Sequence, residues 1–184
     1  MLIVEGADLV GKTTLCEALV RELSRREHGY VYRHLTKLPN GFVSPWAYMQ
    51  LASRRVVQDR FHMSEVLYAK ARHERPVLSP FGYALVDAHL RQLGAFTVIV
   101  TTSRDQIADR WRAGEMYDLD TVLAINDDFE SVALGQYESR YVMDHDYHYQ
   151  GPSPTGVIGD ILDKYSQRQA EFDAILSRRP VSWR

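Results

Sequence analysis

Residues 6–13 of the chain read GADLVGKT and match the pattern G-x-x-x-x-G-K-[ST] at every fixed position. The apolar run from Leu2 to Glu5 comes directly before this segment and predicts a buried strand. The stretch from Lys12 to Arg26 follows, with leucines spaced four residues apart, and predicts an amphipathic helix. A strand, this loop and a helix in that order form the local structure that binds the phosphates of a nucleotide.

Each fixed position of the loop has a chemical reason. Gly6 and Gly11 permit backbone conformations that turn successive N–H groups toward phosphate oxygens. Lys12 is placed to bridge the β- and γ-phosphates of ATP, and the Thr13 hydroxyl is placed to bind Mg²⁺. The positive end of the following helix dipole acts on the same anion. The residues predicted to bind the ATP phosphates are Gly6, Ala7, Asp8, Leu9, Val10, Gly11, Lys12, Thr13 and Thr14.

The rest of the chain alternates between predicted strands and predicted helices. Further strands are predicted over 30–35, 55–58, 96–101 and 141–143. Further helices are predicted over 46–52, 64–72, 83–93, 103–112, 121–140 and 158–176. This alternation predicts a single α/β domain over residues 1–184, with the three-layer α/β/α P-loop NTPase fold and a five-stranded parallel sheet.

The composition indicates where in the cell the protein is expected and which partners it is expected to bind. The 184 residues suit one domain, with 45% hydrophobic and 25% charged residues, as in soluble globular proteins. A net charge of -2 argues against a general nucleic-acid binder, although it is compatible with a local basic cleft. No run approaches the roughly 18 apolar residues of a membrane helix, so no membrane partner is expected. Cys16 is interpreted as a small buried residue. One cysteine, and a start without a basic region or cleavage site, predict a cytoplasmic protein.

Separated segments of the chain resemble thymidylate kinases, in the order in which that family carries them. Residues 5–14 read EGADLVGKTT and are similar to the opening E-G-x-D-G-x-G-K-[ST]-T of the family. Residues 59–64 read DRFHMS and resemble its D-R-[YF]-x-x-S segment. Residues 110–115 read RWRAGE and, followed by Asp118, resemble its arginine-bearing lid. A lid segment is therefore expected over about 110–120.

The resemblance implies a phosphotransferase that uses ATP and Mg²⁺ and acts on a (deoxy)nucleoside monophosphate. The acceptor that it favours is dTMP or a related deoxypyrimidine nucleotide. Such a transfer brings two polyanions together, so cations have to converge on both of them. The catalytic residues predicted on this basis are Lys12, Arg60, Arg110, Arg112 and Asp8.

Individual roles follow from position and from the resemblance. Arg60 comes just after a strand beside the loop strand, where it is placed to grip the acceptor phosphate. By resemblance, Asp59 lies near Mg²⁺ together with Thr13, and Asp8 orients the sugar or phosphate of the acceptor. The two lid arginines are expected to fold over the transferring group as the lid closes and excludes water. The predicted metal ligands are Thr13 and Asp59, and the predicted acceptor-binding residues are Asp8, Arg33, Trp46, Asp59, Arg60, Ser64 and Tyr68.

Two features depart from the thymidylate kinase pattern. Leu9 stands where the family has a glycine, which predicts a slightly different bend in the loop. Only 25 residues separate Arg33 from Asp59, in the region where the family builds much of its base pocket. So compact a chain resembles the thymidylate-kinase-like proteins of phages, whose acceptors vary. The aromatic residues available to stack on a base, or to pack in the core instead, are Phe42, Trp46 and Tyr48.

The segment DHDYH at 144–148 is rich in side chains that bind metals. Asp144, Asp146 and His148 alternate along it, and in an extended segment they would share one face and converge on an ion. No fourth ligand is evident in the sequence. We therefore favour a surface loop near the adenine end of the nucleotide over a metal site.

Other functions fit parts of the pattern. One is a kinase acting on a hydroxyl of a nucleoside or of a modified base in DNA, although near-neutral charge weakens the DNA version. Another is a regulatory module that holds a nucleotide as a switch, against which the paired lid arginines argue. Those arginines also have a plainer interpretation as solvated surface cations. The thymidylate kinase family often forms homodimers, so a homodimer is compatible with the resemblance, but no exposed apolar stripe demands one.

Overall fold

The chain alternates between strands and helices from Leu2 to Ser177. The computed structural model describes residues 1–36 and 44–177, apart from the side chains of 154 and 155, so Phe42 lies outside the described residues. The strands are β1 (Leu2–Glu5), β2 (Val31–His34), β3 (Val56–Asp59), β4 (Phe96–Thr101) and β5 (Tyr147–Gln150). The α-helices are α1 (Lys12–Arg26), α2 (Pro45–Leu51), α3 (His62–Ala71), α4 (Pro80–Gln92), α5 (Arg104–Arg110), α6 (Leu119–Ala133) and α7 (Ile158–Ser177). A short 3₁₀ helix, Pro154–Val157, leads into α7.

The five strands form one parallel sheet in the order β2-β3-β1-β4-β5, which confirms the predicted sheet. Val4 of β1 lies beside Asp59 of β3 on one side and beside Val98 of β4 on the other. The strand order therefore reverses at β1, and ligands of open α/β sheets bind outside the carboxyl ends of the strands at such a point. The loop after β1 and the residues after β3 leave the sheet next to each other at this edge.

The alternation of side chains along β1 feeds two apolar clusters on opposite faces of the sheet. Leu2 and Val4 belong to the larger cluster, with the α1 leucines and residues of α3, α6 and α7. Ile3 belongs to the second cluster, together with Val86 and Leu90 of α4. The sheet is thus covered by helices on both faces, which is the predicted three-layer arrangement. Cys16 is fully buried in the larger cluster, as expected.

The last strand and the helix before it differ from the prediction. The fifth strand is Tyr147–Gln150, not 141–143, and it pairs with β4 from Val98 to Thr101. Helix α6 begins after Asp118, whose carboxylate accepts the N–H of Thr121 at 2.7 Å. It ends at Ala133 and does not continue to 140, because Gly135 turns the chain with a φ of 68°.

Two other helices begin earlier than predicted, because a side chain accepts hydrogen bonds from the N–H groups of their first turns. Ser79 accepts the N–H of Gly82 at 3.1 Å, so α4 begins at Pro80 and not at 83. Helix α3 begins at His62 and not at 64, because a buried carboxylate binds its first turn, as described below. None of the described helices is long and apolar enough to cross a membrane.

Candidate active site

The loop between β1 and α1 turns at three residues with positive φ. Gly6 has a φ of 152° and Gly11 a φ of 93°. A Cβ on Gly6 would overlap the carbonyl oxygen of Val100, so this position requires glycine. Leu9, where thymidylate kinases have a glycine, has a φ of 67°. The bend that glycine favours is therefore present with a leucine in the left-handed region, at a cost of about 1–2 kcal/mol.

Lys12 lies inside the loop with 5% of its surface exposed. Its Nζ donates a hydrogen bond to the carbonyl oxygen of Ala7. Burial lowers the pKa of the Lys12 ammonium, and the nearby Asp59 carboxylate opposes that shift. Lys12 is thus a cation held within the loop by backbone and by one buried carboxylate, and its amino group is positioned for an anion in the loop.

The Asp59 carboxylate, at the end of β3, is fully buried and faces the start of α1. Its Oδ2 accepts hydrogen bonds from the Thr13 hydroxyl at 2.9 Å and the Tyr32 hydroxyl at 3.1 Å, and His34 Nδ1 lies 3.2 Å away. Its Oδ1 is buried without a hydrogen-bond partner among the described residues. Burial, followed by the Asp59 charge, raises the pKa of Tyr32 to about 12, so the Tyr32 hydroxyl stays protonated and donates.

Thr13 and Asp59 fit a magnesium ion bound through nucleotide phosphates. Both offer oxygen atoms, the ligands that Mg²⁺ prefers, and Asp59 Oδ1 is an acceptor with no partner in the protein. In the described part of the chain, no group of three or more His, Cys, Asp or Glu residues is arranged to hold a metal. A site with only one or two protein ligands is the kind that Mg²⁺ uses when substrate phosphates and water complete its octahedron.

Glu5 ties the loop strand to the start of α3. Its Oε1 accepts the backbone N–H groups of Phe61 at 3.0 Å and Met63 at 3.1 Å, and its Oε2 accepts the Ser64 hydroxyl. A carboxylate at a helix N-terminus stabilises the unpaired N–H groups of the first turn. Burial raises the pKa of Glu5, a shift opposed by His62 and by these hydrogen bonds. Glu5 therefore positions the segment that carries Arg60.

Arg60 follows β3 in the left-handed region, with a φ of 65°, and its N–H donates to the carbonyl of Val4 at 2.9 Å. Its guanidinium forms an ion pair with Asp8 of the loop. The same guanidinium lies over the ring of Tyr68, with Cζ 4.7 Å from the ring centroid. Its Nε is buried without a hydrogen-bond partner among the described residues. These contacts hold a cation directly opposite the loop.

Two cavities meet at Arg60. The loop cavity has a volume of about 520 Å³ and is lined by Asp8, Leu9, Gly11, Lys12, Thr13, Thr14, His34, Asp59, Arg60, Arg110, Pro152 and Ser153. The α3 cavity has a volume of about 260 Å³ and is lined by His34, Leu35, Thr36, Tyr48, Arg60, Phe61, Ser64, Glu65, Tyr68, Arg72, Met116 and Tyr117. Within the described part of the chain, only His34 and Arg60 line both cavities. Each cavity is large enough for part of a nucleotide, and a cation stands where they join.

Of the two predicted lid arginines, the structure brings one to the loop cavity. Arg110, at the end of α5, donates to the carbonyl oxygens of Leu9 and Pro152, both at 2.7 Å. Arg112 instead donates to carbonyls of its own turn, those of Asp109 and Trp111, and lines neither cavity. Helix α5 ends at Arg110, so Arg112 lies in the turn that follows the helix.

Two predicted acceptor residues also lie away from both cavities. Tyr32 and His34 direct their side chains to Asp59, so the alternation of β2 places Arg33 on the opposite face. There its guanidinium donates to the carbonyl of Leu51 at 2.6 Å. Trp46 is 71% exposed, because α2 turns Tyr48 and not Trp46 toward the core, where Tyr48 packs edge-to-face on Phe61.

The segment at 144–148 does not converge on a metal. Asp144 pairs with Arg91, and Asp146 Oδ2 accepts the N–H of Thr97 at 2.7 Å. His148 Nε2 lies 2.8 Å from the hydroxyl of Thr101, and burial lowers the pKa of this histidine. The three side chains therefore serve separate contacts along β4 and β5.

Several residues of this region carry no role in the sequence prediction. Tyr32 and His34 follow from the alternation of β2, once Asp59 is known to lie beside that strand. Glu5 stands inside the quoted loop motif, but only the fold shows that it binds the first turn of α3. Arg72 and Tyr117 have no local motif, since only the packing of α3 against the segment before α6 brings them together.

Comparison with known proteins gives a likeness of fold. No protein-family model matches the chain, and no curated protein matches it. Among 42 matching chains of solved structures is the YorR protein of Bacillus subtilis, solved in complex with phosphorylated GDP. It is similar to this chain with a TM-score of 0.70 and 20% identity, over 92% of this chain and 97% of YorR. The chain thus shares its fold with YorR along most of its length.

Proposed function

We propose that this chain is an ATP- and Mg²⁺-dependent nucleotide kinase, which transfers the γ-phosphoryl group of ATP to the phosphate of a (deoxy)nucleoside monophosphate. The observation that carries the proposal is the position of Arg60, which lines both the loop cavity and the α3 cavity. A phosphotransferase with two anionic substrates needs a cation where they meet. The nucleotide in the YorR structure agrees with a nucleotide ligand for this fold.

The loop cavity suits the donor triphosphate. Backbone N–H groups of the loop and Lys12 would hold the β- and γ-phosphates, with Thr13 and Asp59 at the metal. When bound, Mg²⁺ would neutralise charge on the β- and γ-oxygens. Arg110, already anchored on the loop and on Pro152, would stand beside the transferring group.

The α3 cavity suits the acceptor, with its phosphate at Arg60. An oxygen of that phosphate attacks the γ-phosphorus, and the bond to the oxygen bridging the β- and γ-phosphates breaks, releasing ADP. A phosphate oxygen carries no proton to be removed, so no general base is needed. The loop carboxylate Asp8 is paired with Arg60, and it therefore serves to orient that cation.

The acceptor that the sequence resemblance favours is dTMP or a related deoxypyrimidine nucleotide. The buried Tyr68 ring beneath the Arg60 guanidinium provides an apolar wall next to the expected position of the acceptor sugar. Ser64, which the resemblance assigns to acceptor binding, lines the same cavity while its hydroxyl donates to Glu5.

The test is incubation of the protein with ATP and Mg²⁺ and a panel of acceptors, namely nucleosides, nucleoside monophosphates and DNA. We expect stoichiometric ADP and a nucleoside diphosphate with at least one monophosphate, and no transfer without Mg²⁺. Exclusive phosphorylation of free nucleosides or DNA would instead support a hydroxyl kinase. Nucleotide binding without transfer to any acceptor would support a regulatory module.

A further inference from the structure

The α3 cavity has a second arginine at the end away from the loop. Arg60 lies 4.7 Å from the Tyr68 ring centroid, and the Tyr68 ring lies 5.7 Å from that of Tyr117. The Tyr117 hydroxyl in turn accepts from Arg72 at 3.3 Å. Arg72 lines the α3 cavity but not the loop cavity. The two aromatic rings therefore separate a guanidinium at the transfer point from a guanidinium remote from it.

Arg72 is held in place by neighbours on two sides. Its Nε donates to Glu74 at 2.8 Å and one terminal nitrogen donates to Tyr117, and its side chain is 17% exposed. A guanidinium carries five N–H donors and no acceptor. Two of the five serve these contacts, and Arg72 has no other hydrogen bond within the described residues that would use the remaining three. The cavity wall thus presents oriented donors.

This arrangement selects among bases if the acceptor phosphate lies at Arg60, as the proposed function has it. The base would then extend toward Arg72 with the edge that carries position 4 of a pyrimidine or position 6 of a purine. Thymine, uracil, guanine and hypoxanthine have a carbonyl oxygen there, whereas cytosine and adenine have an amino group. A guanidinium pairs with the carbonyl and cannot pair with the amino donors.

We propose that Arg72 is a specificity-determining residue, which selects acceptor nucleotides with a carbonyl group at position 4 of a pyrimidine or position 6 of a purine. The remaining N–H groups of Arg72 match the carbonyl oxygen of these bases, and a site built for hydrogen bonds rejects analogues that leave its donors unpaired.

Equilibrium binding tests this inference separately from catalysis. Isothermal titration of wild-type protein would compare dUMP with dCMP and dIMP with dAMP, two pairs that differ at the position in question. We expect the carbonyl member of at least one pair to bind about tenfold tighter or more. Arg72→Gln should reduce that ratio to within about twofold, because an amide both donates and accepts. Arg75→Gln, at an exposed arginine that lines neither cavity, should keep the wild-type ratio.

The outcomes separate the inference from the proposed function. Equal binding within both pairs, an amino preference, no binding of any of the four, or a ratio that survives in Arg72→Gln would overturn the role of Arg72. Arg72→Lys keeps the positive charge but loses the planar set of N–H donors. This variant should give an intermediate ratio of affinities within each pair, and it serves as the test if Arg72→Gln unfolds. A carbonyl preference in binding without phosphoryl transfer would leave the inference standing and remove the kinase. Phosphoryl transfer to all four nucleotides with equal affinity would support the kinase and overturn the role of Arg72.

Discussion

The two cavities that meet at Arg60 are built in different ways. Six of the twelve residues that line the loop cavity come from the unbroken segment 8–14, and two more, Asp59 and Arg60, come from the end of β3. The α3 cavity takes its walls from β2, α2, α3 and the segment before α6, and its central ring contact joins Tyr68 to Tyr117. One cavity is thus mainly a local structure, and the other exists only once distant segments have packed.

This difference teaches which part of the reaction each cavity governs. The loop presents backbone N–H groups and one lysine, which suit any triphosphate whatever its base. The α3 cavity presents aromatic rings and two arginines, which under the proposed function would distinguish among acceptors by their polar groups. Substitutions in the loop should therefore affect every acceptor alike, whereas substitutions around α3 should affect acceptors unequally.

Lys12→Ala has the largest expected effect and tests whether the loop cavity acts on every acceptor alike. Removing the one buried cation of the loop should lower kcat by about 1,000-fold with every acceptor, because transition-state charge on the γ-phosphoryl group loses its partner. Steady-state rates of ADP formation measure this effect, and circular dichroism checks the fold. Lys164→Ala, at a half-exposed lysine of α7, is the matched control and should keep full activity. Normal turnover of Lys12→Ala would sink the kinase proposal.

Arg60→Ala tests the junction itself. It should lower kcat/KM for the acceptor by about 100-fold, because the acceptor phosphate loses its charged donor. The affinity for ATP, measured by titration, should change by less than about twofold, since Lys12 and the loop backbone stay in place. Arg54→Ala, at an exposed arginine, serves as control. An equal loss of ATP affinity would mean that Arg60 belongs to the donor side.

Glu5→Ala tests the structural connection between the loop strand β1 and the start of α3. It removes the acceptor of two backbone N–H groups and one hydroxyl in α3, all buried. We expect the free energy of unfolding to fall by about 2–4 kcal/mol in urea titrations. Glu17→Ala, on an exposed position of α1, should change it by less than about 0.5 kcal/mol. An unchanged free energy of unfolding in Glu5→Ala would show that α3 begins at His62 without this carboxylate.

The two lid arginines give the smallest expected effects and the clearest contrast. Arg110→Ala should lower kcat by about tenfold, because it removes the side chain that anchors the loop to Pro152. Arg112→Ala should change kcat by less than about twofold, because its guanidinium is bonded to carbonyls of its own turn. Initial rates with saturating ATP and acceptor measure both. A larger loss at Arg112 than at Arg110 would mean that the lid rearranges during the reaction.

The parts of the fold that were predictable share a local cause. Strands β1 and β4 are buried and mostly apolar, and Gly6 of the loop lies where a Cβ would overlap a carbonyl oxygen. The fifth strand does not follow from the sequence pattern, because Tyr147–Gln150 is polar and aromatic and only its pairing with β4 makes it a strand. The sequence pattern predicts too long a helix here, because α6 ends at Ala133 and the chain turns at Gly135.

The site divides in the same way. Loop residues and Asp59 could be named from a motif, and the structure brings them together with Arg60 and Arg110. Arg33 is predicted by position, Trp46 as an aromatic residue that could stack and Arg112 by the lid resemblance, but all three side chains lie away from both cavities. Arg72 and Tyr117 could not be found, because their contact joins residues that no local pattern connects.

Phosphorus NMR of the reaction products tests the central claim most directly. With ATP, Mg²⁺ and the best monophosphate acceptor, the account predicts signals of a new nucleoside diphosphate, in an amount equal to the ADP formed. Such signals require transfer to a phosphate oxygen. A new phosphate monoester on a hydroxyl group, or ADP formed with inorganic phosphate as its only partner product, would contradict the account.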